Sequence, residues 1–177
     1  MTKWISSLAE TLILVMFVLA LFQVGLPRYT TQGPSMEPTI FEGQRLISLA
    51  TEAESLQLWS ERSGGYLPED IIIFAAAEDG ADDIIKRGAA VGGDTIDIAD
   101  GRVMVNGEVF RYEGEQPVHT SVGSLRYPYT VPPDSYFVLG DNRGNSNDSR
   151  RWGAIAHDRV QSRLLVVYWP PDDFRLY

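Results

Sequence analysis

The sequence predicts an all-β domain behind one N-terminal transmembrane helix. Three observations carry that expectation. Residues 12–22 read LILVMFVLALF, with no charged or hydrogen-bonding side chain. Beyond them, short runs rich in branched residues succeed one another, as pleated, half-buried strands require. Two turn dipeptides, Asp100-Gly101 and Asn106-Gly107, sit between such runs. At 177 residues the chain suits one domain with a sizeable core plus an appendage.

Taken in order, the apolar run extends back to Trp4 and forward to Leu26, about the 20 residues that cross a bilayer. Glu10 falls at headgroup level, with Lys3 and Trp4 as interface anchors. Pro27 cannot continue the helix, so the anchor is 1–27 and the domain is 28–177. A cleavable signal peptide is the competing reading. The run is short enough for that, but QVGLPRY, directly after it, offers no small-x-small site. Lys3 and Arg28 balance one another, so charge does not fix the orientation.

RLISLA (45–50), DIIIFAAA (70–77), DDIIKRGAA (82–90) and DTIDIA (94–99) are the first expected strands. RVMV, Asn106-Gly107 and EVFRY read as a hairpin with a type I′ turn. YFVL (136–139) and RLLVVYW (163–169) complete the set. The first half of 51–69 suits a short helix, which Ser63-Gly64-Gly65 breaks. Residues 113–133 carry four prolines and read as loop. A small β-hairpin cap is expected as an insertion at about 97–135.

The bulk numbers exclude several functions. A net charge of −9 argues against nucleic acid, whose phosphates demand a basic surface. With no cysteine and two histidines, there is no disulfide framework, no thiolate site and little to ligate zinc or copper.

Two stretches remain unexplained by folding alone. TTQGPSMEPTI sets Ser35 between Pro34 and Pro38, a rigid turn that holds a hydroxyl at a fixed angle. GDNRGNSNDSRRWG (140–153) is almost wholly polar and comes after an apolar strand. A calcium loop fails there, because its third place is Arg143, its glycine place Ser146 and its closing glutamate place Trp152. A solvated loop and a hydrogen-bonded scaffold both stay open. In the scaffold, Asp141, Asn145, Ser146 and Asp148 bond to nearby backbone, and Arg150 grips a carboxylate with two prongs.

Serine is a poor nucleophile until something takes its proton. His119 lies in the proline-rich stretch and His157 in AIAHDR, and neither has a supporting motif. The S-x-x-K and G-x-S-x-G patterns are absent. Lys86 is the remaining base. It stands after Ile84 and Ile85 on a run that reads as buried. The bland alternative is a lysine whose stem lies on apolar surface while its ammonium reaches water. A buried ammonium instead loses proton affinity and becomes a general base near neutral pH. Ser146 can supply a hydroxyl partner for it.

These blocks together resemble the type I signal peptidases, membrane-bound serine proteases with a Ser–Lys dyad. GPSMEPTI (33–40) is similar to the nucleophile box, QRLI (44–47) and DIIIF (70–74) to the strand blocks after it, and IIKRGAAVGGD (84–94) to the lysine box. GDNRGNSNDSRRWG is similar to the family's most distinctive loop, and RLLVVYWP closes the series. The blocks stand in the family's order and cover about residues 29–170.

The resemblance implies a coiled β-structure against the membrane, with Ser35 as nucleophile and Lys86 as base. It implies that Ser146, Asp148 and Arg150 orient the lysine and brace the site, and that Arg87 is the basic residue of its box. It implies Met36 in the pocket for the small side chain before the scissile bond, with Ile40, Ile84 and Ile85 in the same apolar pockets. No metal or cofactor is implied. The partners implied are signal peptides of exported precursors and the lipid bilayer, of a plasma or thylakoid membrane, with the domain on its non-cytoplasmic side.

Two departures stand out. Gly33 occupies the place where some members carry an oxyanion-binding serine, which leaves the Ser35 N–H as one donor. Ala90-Val91-Gly92-Gly93-Asp94 replaces the usual Gly-Leu-Pro-Gly-Asp. Two rival readings are a maturation peptidase of a secretion or conjugation system and a catalytically silent membrane-tethered binding module. Soluble self-cleaving repressors also use Ser–Lys, but the apolar N-terminus and acidic balance do not suit their DNA-binding domain.

Overall fold

The structure, a computed structural model, describes residues 10–16, 26–50, 68–77, 82–116 and 118–177. Residues 10–16 are helical, and Leu12 to Met16 expose their apolar side chains. Among the described residues no helix is long and apolar enough to cross a membrane. The rest of the expected span, with Lys3 and Trp4, and the expected helix in 51–69 lie outside the described residues.

From Arg28 onward the protein is mostly β. Strands β1 (Arg28–Thr30), β2 (Arg45–Ala50), β3 (Ile71–Phe74), β4 (Ile84–Val91), β9 (Ser135–Leu139), β10 (Ile155–Ala156), β11 (Val160–Trp169) and β12 (Arg175–Leu176) form one antiparallel sheet. Its order is β1-β2-β11-β3-β4-β9-β10, with β12 on β11. Strands β5 (Thr95–Ala99), β6 (Arg102–Val105), β7 (Glu108–Val109) and β8 (Tyr129–Thr130) form a second sheet, ordered β7-β6-β5-β8. The short strands β1, β8, β10 and β12 have two or three residues each, too few for alternation to announce them in the sequence.

Side-chain alternation explains how one sheet serves several cores. All four residues of β3 are buried. Ile72 and Phe74 enter a cluster with Tyr136, Val138, Ile155 and Val160, while Ile71 joins Met36, Ile40, Leu46, Leu164 and Val167 on the other face. Strand β9 works the same way. Phe137 and Leu139 turn from the Tyr136–Val138 face toward Ile96, Val103 and Val131 of the second sheet. A strand with apolar residues on both faces is held from both sides.

The turns obey the local sequence closely. Asn106 and Gly107 have φ of 52° and 85°, the left-handed pair that a type I′ hairpin needs. At the turn after β4, the Asp94 carboxylate accepts the Val91 N–H at 2.9 Å and an Asn106 Nδ2–H at 2.7 Å. The Asp94 N–H donates back to the Val91 carbonyl at 3.0 Å. Side-chain bonds thus constrain the turn where the sequence lacks the usual proline.

Candidate active site

Ser35 opens a tight turn. Pro34 fixes φ and has no N–H to offer. The Glu37 N–H donates to the Pro34 carbonyl at 3.1 Å, and those of Thr39 and Ile40 donate to the Met36 carbonyl, both at 2.9 Å. Met36 and Ile40 anchor the underside of this turn in the core at 2% and 1% exposure. Asn142 fastens the other side. Its N–H donates to the Ser35 carbonyl at 3.0 Å and its Nδ2–H to the Pro34 carbonyl at 3.1 Å.

Lys86 reaches this hydroxyl from β4. Its Nζ stands 2.8 Å from Ser35 Oγ and 2.7 Å from the Ile85 carbonyl. The protonated amine donates both bonds. The neutral amine keeps the carbonyl bond and turns its lone pair to the Ser35 proton. Only 4% of Lys86 is exposed. Burial pushes its pKa down to about 8, against the opposing pull of the Asp148 and Asp141 carboxylates. Desolvation of the ammonium outweighs both charges.

The polar loop is a scaffold built on two-pronged ion pairs. Arg150 Nε and Nη2 each donate to Asp148 at 2.8 Å, and Nη2 also donates to the Arg143 carbonyl at 2.7 Å. Asp148 is fully buried and caps the helical turn Ser149–Trp152 by accepting the Arg150 N–H. Burial pushes the Asp148 carboxyl up, but the Arg150 bonds and charge, with the Gly140 N–H, prevail and hold it below the usual carboxylate range. The Ser149 hydroxyl accepts the Val138 N–H at 2.9 Å, which seats the helical turn on β9.

Arg87 makes the second such pair. It donates to Asp141 from Nε at 2.8 Å and Nη2 at 2.7 Å, bonds the Glu69 carbonyl, and lies 3.9 Å over the Tyr112 ring. A third pair, Arg143 with Glu115, is also buried.

Ser146 departs from expectation. Its hydroxyl is buried without a hydrogen bond of good geometry, so the bond expected to Lys86 is not made. It lies near enough to Asp148 to help keep that carboxylate ionised, but geometry denies it an aligned bond. Gly140 packs closely against it. A Cβ on Gly140 would lie 2.2 Å from Ser146 Oγ and 2.5 Å from the Ser35 carbonyl. Only glycine lets the loop and the serine turn approach so closely.

A groove of about 520 Å³ opens onto the Ser35–Lys86 pair. Tyr29 and Thr30 of β1 line it together with Ile84 and Ile85 of β4, although β2, β11 and β3 lie between those strands in the sheet. The sheet therefore curls to bring them face to face. Leu46 and Ile73 add apolar lining, Asp82 and Asp83 stand at the mouth, and Trp152 contributes one wall. Trp152 is braced edge-on by Phe74, with ring centroids 6.0 Å apart. Met36 and Ile40 do not line the groove; their side chains are spent on core packing beneath the turn.

The register of β4 with β9 begins at Arg87. Among the described residues no strand pairs with Ile84 to Lys86 on that side. A peptide in the groove meets an open strand edge there.

The histidines are occupied elsewhere. His157 Nδ1 is 2.8 Å from the Tyr136 hydroxyl, and His119 lines a separate cavity. Among the described residues no group of three or more metal-ligating side chains converges.

Sequence reasoning misses Asn142, Asp141 as the partner of Arg87, and Glu115. Asn142 and Asp141 carry a signal, standing at the start of the polar loop. Glu115 carries none, since the stretch around it reads only as loop.

Known proteins resemble this chain in sequence. Residues 1–169 match the family described as signal peptidase, peptidase S26. The chain is 26% identical over 191 aligned positions to signal peptidase IB of Staphylococcus aureus, covering 98% of this chain and 92% of that protein. It is 35% identical to a probable signal peptidase I-2 of Synechocystis over 143 positions, covering 77% of this chain and 60% of that one. A crystal structure of a signal peptidase I from Enterococcus faecalis overlays 56% of this chain and 97% of its own, at 27% identity and a TM-score of 0.47.

Proposed function

The chain belongs to the signal peptidase family, peptidase S26, and is a serine endopeptidase, and from this we propose that it removes signal peptides from exported precursors with Ser35 as nucleophile and Lys86 as general base. The observation that carries the reading is the 2.8 Å separation of Lys86 Nζ and Ser35 Oγ around a buried amine.

A precursor segment pairs with the open edge of β4 by main-chain hydrogen bonds. Small side chains at the first and third positions before the cut enter apolar hollows formed by Ile84 and Ile85 with Leu46 and Ile73. Met36 and Ile40 support the turn from beneath. As Ser35 Oγ attacks the scissile carbonyl, neutral Lys86 takes its proton. The developing oxyanion is met by the Ser35 N–H. The C–N bond breaks as Lys86 passes that proton to the leaving amine, which departs as the new N-terminus. Lys86 then deprotonates a water that attacks the acyl ester, and Ser35 regains a proton as the signal peptide leaves. Asp148, Arg150, Arg87 and Ser146 keep the loop and the two reacting atoms in register.

Residues 1–27 act as the membrane anchor in this reading, with the catalytic domain on the non-cytoplasmic side. The apolar run 12–22 and the exposed apolar side chains of Leu12 to Met16 support it. Tethering raises effective concentration without any new contact.

The test is incubation with a synthetic precursor bearing Ala-x-Ala, then mass spectrometry of the products. A single cut directly after the second alanine is expected. An intact precursor, or a cut placed without regard to the alanines, refutes the reading.

The lysine sets the pH dependence. The active form is the neutral amine, so kcat/KM should rise about tenfold per pH unit at acid pH and level off near pH 8, in step with Lys86. A profile with no break between about pH 7 and 9 would remove Lys86 from the role of base.

A further inference from the structure

We propose that Glu115, which stands between β7 and β8 in the chain, is a positioning residue for the Ser35–Lys86 pair, acting through Arg143. This inference rests on the proteolytic reading above and goes beyond it, because it gives the second sheet a part in turnover.

Glu115, Thr120, Gly123 and Ser124 lie against the polar loop. Arg143 Nη2 stands 2.6 Å from Glu115 Oε1, and the two side chains are 3% and 10% exposed. Arg143 Nη1 donates to the Thr120 hydroxyl at 3.2 Å. The Thr120 N–H donates to the Gly101 carbonyl at 2.8 Å, at the turn between β5 and β6. The second sheet thus reaches Arg143 through Thr120, and Glu115 adds a charged contact from the connection after β7. Further along, the Ser124 N–H donates to the Arg150 carbonyl at 2.9 Å. Gly123 presses so close that a Cβ there would fall 2.4 Å from that same carbonyl.

The other end of Arg143 leads to the chemistry. Its Nε donates to the Gly140 carbonyl at 3.2 Å, and Gly140 is the residue squeezed between Ser146 and the Ser35 carbonyl. The Arg143 carbonyl accepts Arg150 Nη2, and Arg150 holds Asp148 through both Nε and Nη2. Asp148 in turn is the larger carboxylate influence on Lys86. Glu115 therefore neutralises an arginine that touches both supports of the dyad. Breaking a buried ion pair strands the remaining charge, so loss of Glu115 drives Arg143 toward another acceptor or toward water. Either movement shifts Gly140 and the Arg143 carbonyl together. A displacement of about 1 Å at a reacting pair costs up to about a hundredfold in rate.

The experiment is steady-state cleavage of the Ala-x-Ala precursor by the full chain and by Glu115→Gln, Glu115→Asp, Thr120→Val and Glu113→Gln, well below each melting temperature. Glu115→Gln is expected to lower kcat ten- to about a hundredfold with KM unchanged. Thr120→Val should lower kcat less, again with KM unchanged, and it carries the test if Glu115→Gln does not fold. Glu113→Gln removes an exposed carboxylate two residues away and should leave both constants as they are. Glu115→Asp should recover part of the lost kcat. A lower melting temperature with kcat intact in Glu115→Gln, or in Thr120→Val when only that variant folds, overturns the inference, because the pair is then merely structural. A change in KM alone overturns it too. If the unaltered chain fails to cut, the proteolytic reading itself has failed, an outcome distinct from any difference between variants.

Discussion

Lys86→Met abolishes cleavage and at the same time raises the melting temperature at pH 7. The first half stems from removal of the amine that stands against Ser35 Oγ. The second stems from burial. In the folded protein the amine holds its proton less tightly, with a pKa of about 8 against 10.5 in the open chain. Between those values the unfolded state binds more protons, so the lysine's contribution to stability rises with pH across that window. Below pH 8 its full cost is present. Each tenfold loss of proton affinity is worth about 1.4 kcal/mol, so an apolar side chain of similar length relieves up to about 3 kcal/mol. Two lost hydrogen bonds offset part of that gain. The stability gap between variant and parent should therefore keep its full width below about pH 8 and close as pH climbs toward about 10. Ser35→Ala should be equally inactive but keep the lysine's cost. Thermal melts across pH, paired with the cleavage assay, check both halves. A Lys86→Met protein that melts lower than its parent at pH 7 contradicts the desolvated amine, and one that still turns over contradicts the dyad.

Arg150→Ala should lose both activity and stability. Asp148 is fully buried, and Arg150 supplies its two shortest bonds. Removing one partner of such a pair costs about 3–5 kcal/mol, chiefly through the stranded charge. In a domain of this size that is a drop on the order of 10 °C in melting temperature. Turnover should fall at least about a hundredfold, since the Arg143 carbonyl loses its donor and the Asp148 carboxylate that accepts the Gly140 N–H loses its own hold. The pH response separates this cause from simple loss of packing. Asp148 is held below the usual carboxylate range, so its contribution is present at neutral pH and lost as pH falls. Once Asp148 is protonated it no longer needs Arg150, and parent and variant should converge in acid. A constant gap in melting temperature across that range would assign the loss to the guanidinium's packing instead.

Much of the arrangement is readable from local chemistry. The long strands declare themselves through branched runs, and Asn106-Gly107 through its turn preference. Ser35 and Lys86 emerge because each sits in a stretch that folding alone does not explain. The grip of Arg150 on a carboxylate is legible as well, because its partner lies two residues away. What escapes depends on long-range approach. Chemistry alone assigns the Ser146 hydroxyl to Lys86, and the fold leaves it without that bond. Met36 and Ile40 suit an apolar pocket by type, yet the direction of the turn sends them inward. Glu115 and Thr120 meet Arg143 across 28 and 23 residues of chain, a distance no local pattern spans.

Among the described residues, Ile84 to Lys86 of β4 have a neighbouring strand on one side only. Such a rim invites any extended chain to adhere, including a second copy of itself. Asp82 and Asp83 stand just ahead of that rim, and like charges meeting rim to rim repel. Paired aspartates at such a rim disfavour self-adhesion, and under the proposed function an extended precursor segment without that charge is the chain that fits there.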